Sequence, residues 1–122
     1  MPILTSEKKF VECISAEITK ALKKYSISVF LFGSVARKQE TIKSDMDICI
    51  IYKMASSKKI FEEIIPTLSI KLYKKFGVSL APFYISKSDF VKRAKSNKPP
   101  IADVITGGKY LCGEQIKKLL NG

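Results

Sequence analysis

Two aspartates one residue apart, Asp45 and Asp47, open the apolar run Ile48-Cys49-Ile50-Ile51. Upstream, another apolar run, Val29-Phe30-Leu31-Phe32, stops at Gly33-Ser34, with ten residues between Ser34 and Asp45. In a strand, residues i and i+2 share a face and lie roughly 6.5 Å apart. Asp45 and Asp47 therefore project side by side, while Met46 points the other way into core. Two carboxylates that close repel, and one tends to keep its proton unless a cation is present. Mg²⁺ favours a few carboxylates, waters and substrate phosphates over an all-protein cage. Two aspartates are too few for a structural metal site but suit a metal–triphosphate complex. Gly33 permits close approach of a ligand to the backbone. Ser34 suits the N-cap of a short helix through Val35-Ala36-Arg37-Lys38, and a helix N-terminus offers free N–H groups to a phosphate.

These residues form one site only if the two strand ends meet. A parallel connection usually needs a dozen or more residues and a helix, and Val35–Ser44 is short for that. An antiparallel return fits, and it sets Gly33-Ser34 and Asp45/Asp47 at one edge of the sheet. Donors for phosphates beside metal-binding carboxylates are what nucleotidyl or phosphoryl transfer requires. Asp-x-Asp alone is weak, since Ser-Asp before a strand is ordinary turn chemistry; the Gly-Ser at this spacing, with strands on both sides, gives the pattern its weight. Arg37 either reaches a phosphate or pairs with Glu40 on the surface.

The elements that must hold these residues are legible from periodicity. Phe10, Ile14, Ile18, Leu22 and Tyr25 recur at helical spacing, predicting an amphipathic helix over Ser6–Tyr25 with acidic residues towards its start and basic ones at its end. Strands are expected at Ser28–Phe32, Asp47–Tyr52 and Val78–Ile85, the last at a sheet edge or bulged because of Pro82. A long helix is expected from a Ser56-Ser57 cap to Phe76, broken or kinked at Pro66 and closed by Gly77. A short helix over Ser88–Lys95, a loop at Ser96–Pro100, a helical turn to Thr106, a strand near Lys109–Leu111 and a helix over Glu114–Leu120 complete the chain. The expected fold is α/β (α+β): a mixed sheet of about four strands flanked by helices, in a single domain over residues 1–122.

Composition sets limits. The absence of histidine excludes a Ser-His-Asp triad, a histidine base and histidine metal sites. Cys13, Cys49 and Cys112 are odd in number and far apart, so neither a disulfide framework nor a zinc knuckle is indicated. The 22 Lys+Arg against 11 Asp+Glu give a net charge of +11, which points to acidic partners. A solvated lysine surface explains the same charge. Arg-cluster and aromatic-platform signals for RNA are missing, so a nucleic-acid surface is possible but not favoured. Among the basic residues, Lys87, Lys92, Arg93, Lys95 and Lys98 read as a solvated face that could contact a triphosphate or a partner. No segment has the length of a membrane span and the first residues lack a secretory apolar region, so the expected location is cytoplasmic.

Gly33-Ser34-Val35-Ala36-Arg37 and Ser44-Asp45-Met46-Asp47 resemble the signature of the DNA polymerase β-like nucleotidyltransferase superfamily, above all its minimal nucleotidyltransferase (MNT) domains. Lys38 stands where that family commonly has glycine, and Ile105–Gly113 looks like its closing turn and strand. The resemblance covers roughly Phe10 to Gly113. It implies transfer of a nucleoside monophosphate from ATP or another NTP to a hydroxyl, dependent on Mg²⁺ (or Mn²⁺). Asp45 and Asp47 would be the catalytic, metal-holding residues, with Gly33, Ser34 and Arg37 binding nucleotide. It further implies a helical HEPN-type protein partner in an antitoxin-like pair. Active members carry a third aspartate on a later strand. Ser79 stands where it is expected, and Ala81, next on the same face, supplies no carboxylate. The alternative expectation is a catalytically inert nucleotide-binding or partner-binding module of the same fold.

Overall fold

The computed structural model describes residues 3–32, 46–99 and 101–121. The element order is α1 (Ile3–Leu22), β1 (Ser28–Phe32), β2 (Met46–Tyr52), α2 (Ala55–Phe76), β3 (Leu80–Ser86), α3 (Lys87–Lys95), α4 (Ile101–Gly107), β4 (Lys109–Gly113) and α5 (Ile116–Asn121). The strands form one mixed sheet in the order β3-β2-β1-β4. β1 is antiparallel to both β2 and β4, and β2 is parallel to β3.

Strand alternation divides the core into two layers. Val29, Leu31, Met46, Ile48 and Ile50 face one side and pack with Ile14 and Ile18 of α1 and Phe61, Leu68 and Leu72 of α2. Phe30, Cys49, Ile51 and Ile85 face the other side and meet Phe90 of α3, Ile101 and Val104 of α4 and Leu119 of α5. β1 and β2 are covered on both faces, which is why their sequences are nearly continuous apolar runs rather than alternating ones. Burial pushes the Cys49 thiol up to about 12 and makes it an inert core residue.

β3 occupies a sheet edge. Pro82 pairs with Ile48 there, and its missing N–H is tolerated because an edge strand need not donate on its outer side. β4 is the other edge. It is held to β1 with one extra residue, Leu111, where the register shifts between Val29 and Phe30. The buried Ser28 hydroxyl donates to the carbonyls of Cys112 and Glu114, which fixes the end of β4.

Three local expectations are corrected. The break that is one of the two outcomes expected at Pro66 does not occur: α2 is helical from Ala55 to Phe76. Pro66 lies on the exposed side, while Phe61, Ile65, Leu68 and Leu72, before and after it, enter one core layer. Burying four such side chains, at about 2 kcal/mol each, outweighs the roughly 3 kcal/mol cost of an interior proline. Ser56-Ser57 do not cap this helix: Met54 is the N-cap and makes no side-chain cap bond. Gly77 does close it, at φ 75° with its N–H donating to the Tyr73 carbonyl. α1 starts earlier than expected, so its first turn carries no acidic residue. Glu17 accepts hydrogen bonds from Lys71 and Lys75 at 3.3 Å each, tying α1 to α2. The Lys71 bond, then the Lys75 bond, holds the Glu17 carboxyl below its ordinary range. Among the described residues no helix is long and apolar enough to cross a membrane.

Candidate functional site

The end of β1 and the start of β2 are neighbours, because the two strands are antiparallel and Phe32 is the register partner of Asp47. The segment that brings Gly33, Ser34, Arg37, Ser44 and Asp45 lies outside the described residues; the strand ends on either side of it stand side by side. Asp47 is half-buried at the first turn of the pleat in β2. Its odd position puts it on the sheet face of Cys49 and Ile51, the face covered by α3, α4 and α5.

β3 decides what stands next to Asp47. The parallel register pairs Met46 with Leu80 and Asp47 with Ala81. Ser79 precedes the strand, and its carbonyl accepts the Met46 N–H at 2.8 Å. The residue directly beside Asp47 is therefore Ala81, which has no oxygen to offer a cation. Among the described residues there is no group of three histidine, cysteine, aspartate or glutamate side chains able to hold a metal ion. Asp47 is the described carboxylate at this sheet end. A carboxylate oxygen is a donor of the kind that Mg²⁺ or Mn²⁺ takes, with substrate phosphates filling further positions.

The same face carries a cation that the sequence presents as part of a solvated surface. α3 starts at Lys87, directly after β3, and turns back over the sheet. Its basic last turn, Lys92, Arg93 and Lys95, follows Phe90, which is buried in the second core layer. The guanidinium carbon of Arg93 lies 5.9 Å from the centre of the Phe83 ring. Phe83 is two residues beyond Ala81 on β3 and pairs with Cys49, itself two residues beyond Asp47. A Phe at i+2 of the Ala81 position, followed by a helix just long enough to return, is the signal in the sequence that points to this contact.

The nucleophile inventory is short. Cys49 is buried and neutral, and burial likewise pushes the Cys112 thiol up. Tyr84, on the opposite face, is raised by burial and by the nearby Glu62. None of these is an activated nucleophile.

Comparison with known proteins gives a consistent picture. The family profile described as Polymerase beta, Nucleotidyltransferase matches residues 16–117. The chain is 28% identical over 86 residues to the provisionally named protein adenylyltransferase MJ1305 of Methanocaldococcus jannaschii. That match takes in 70% of this chain and 57% of the relative, so the chain spans little more than half the length of the curated protein it matches. Among solved structures, a toxin–antitoxin crystallised with AMP-PNP superposes with a TM-score of 0.54 at 19% identity, over 88% of this chain and 81% of that one. The toxin–antitoxin MntA-HepT gives a TM-score of 0.50 at 18% identity, over 90% and 80%. At these identities the solved structures establish a shared fold.

Proposed function

Because the chain belongs to the polymerase β nucleotidyltransferase family, we propose that it transfers a nucleoside monophosphate from an NTP, ATP first among them, to a hydroxyl on a protein. The observation that carries this reading is the register of Phe32 against Asp47. It sets the last residue before Gly33-Ser34 beside Asp47, which supports a phosphate-binding turn next to the carboxylates. In the reaction, the acceptor oxygen bonds to the α-phosphorus and pyrophosphate leaves. A divalent cation, when bound, neutralises phosphate charge and favours departure of pyrophosphate. Asp45 and Asp47 are the residues proposed to hold it, and Gly33, Ser34 and Arg37 those proposed to bind the phosphates. Ile48, Cys49 and Ile50 bury the strand behind Asp47, so the carboxylate is fixed by the sheet rather than by a loop.

A protein acceptor is supported by the name of the M. jannaschii relative. A helical HEPN-type partner is supported by the toxin–antitoxin setting of structures with this fold.

One observation favours a second reading. Ala81 stands beside Asp47, where a further carboxylate would complete the cation site. A chain that binds nucleotide but does not turn over would neutralise its partner by contact alone. Incubation with α-labelled ATP, Mg²⁺ or Mn²⁺ and the product of the neighbouring gene separates the two. Transfer of label that disappears in Asp47→Asn supports the enzyme. Nucleotide binding without label transfer supports the inert module. Absence of both refutes the nucleotide site.

A further inference from the structure

We infer that Arg93, seated on the Phe83 ring, is a phosphate-binding residue for the nucleoside triphosphate held at Asp47. The inference deepens the proposed function and rests on it. Three observations lead to it. First, Phe83 and Ala81 are alternate residues of β3, and their register partners are Cys49 and Asp47. All four positions therefore lie on one sheet face, with Phe83 about 6.5 Å along the strand from Ala81. Second, the Arg93 guanidinium is 5.9 Å from the Phe83 ring centre, so its charge stands over the same face, one strand away from Asp47. Third, no ion pair joins Arg93 to an acidic side chain among the described residues, a state it shares with most of the described lysines, but Arg93 is the described cation placed against Phe83 on this face.

The chemistry of the side chain fits the task. A guanidinium held against an aromatic ring keeps N–H groups that can make a bidentate contact with phosphate oxygens. The ring supplies attraction and orientation without neutralising the charge. Lysine cannot reproduce that geometry, and the chain has only one other arginine, Arg37. A triphosphate concentrates several negative charges at this sheet end. A cation on the same face attracts and orients the phosphate chain. Nothing in the contact selects a base, so Arg93 contributes to ATP and GTP affinity alike.

The test is equilibrium binding of ATP, ADP and adenosine to the wild-type chain in the presence of Mg²⁺, alongside Arg93→Ala, Arg93→Lys and Phe83→Leu. Arg93 is exposed, so its substitution leaves the fold intact, which circular dichroism verifies. A charge-assisted contact of this kind predicts a loss of about tenfold or more in ATP affinity for Arg93→Ala. Arg93→Lys restores only part of it, and Phe83→Leu gives a smaller loss. Adenosine binding stays unchanged, which a merely structural role does not predict. ATP affinity of Arg93→Ala equal to wild type, or equal losses for ATP and adenosine, overturns the inference while leaving the nucleotide site standing. Failure of the wild-type chain to bind ATP overturns both.

Discussion

Placing a carboxylate at position 81 is the most direct challenge to the register that defines the site. Ala81 and Asp47 are partners in a parallel pair, and neighbouring strands lie about 4.8 Å apart. Ala81→Asp thus sets two carboxylates roughly 5 Å from each other on one face. At an effective dielectric of about 20 their repulsion is about 3 kcal/mol. Both positions are half-buried, so solvent takes up part of this and about 1–2 kcal/mol remains. For a domain of this size that corresponds to a fall in Tm of roughly 3–10 °C. The repulsion raises the carboxyl pKa values of the pair, so the loss is present at pH 7 and shrinks as the pH falls through the range where one acid protonates. Mg²⁺ reverses it too. A cation at 100 times its Kd adds about 2.7 kcal/mol to the state that binds it. Thermal melts of wild type and Ala81→Asp at pH 7 and pH 4, with and without Mg²⁺, read all of this. A variant as stable as wild type at pH 7, or one whose loss neither acid nor Mg²⁺ relieves, refutes the placement of Ala81 beside Asp47. If label transfer also rises in the variant, the inert reading of the natural chain gains its support.

Other outcomes follow from the same structure. On the proposed function, Asp47→Asn removes a half-buried carboxylate while keeping its shape, so label transfer is lost while circular dichroism shows the fold retained; loss of the fold in this variant would show that Asp47 is structural. Gly113 has φ +88°, and a Cβ there would run into the backbone of Ile27 and Ser28. Gly113→Ala should therefore cost about 2–4 kcal/mol by denaturant unfolding and detach β4 from β1. Cys49 has its pKa raised by burial from 9.0 to about 12. A raised folded-state value gives stability that is full below about pH 9 and declines as the pH climbs from 9 towards 12. The alkaline limb of the stability curve is predicted to flatten in Cys49→Ala, and a thiol reagent at pH 8 should modify the exposed Cys13 well before Cys49 or Cys112.

Much of this molecule is written locally. The strand Ser28–Phe32 has the bounds that its apolar run and the following Gly-Ser predict, and Gly77 closes α2 because glycine alone enters the left-handed region without strain. Pro82 marks an edge strand through its missing N–H. The stretch Val35–Ser44 is short for a crossover, which favours an antiparallel return, and the strands do pair that way, with Phe32 opposite Asp47. These are matters of covalent geometry, backbone hydrogen bonding and period, all of which act over a few residues. Three things are settled only when the layers assemble. α2 continues through Pro66 because core residues on both sides of it share one layer, a gain that no local propensity contains. The pairing of β2 with β3 crosses a 22-residue helix, and its register is set by which residues both sheet faces can bury. That register, rather than spacing in the chain, puts Ala81 beside Asp47. Arg93 belongs to Phe83 only because α3 packs Phe90 into the second core layer and so aims its last turn back across the sheet. Sequence determines the parts and the chemistry they can carry; burial of apolar surface, a property of the whole, determines which side chains meet.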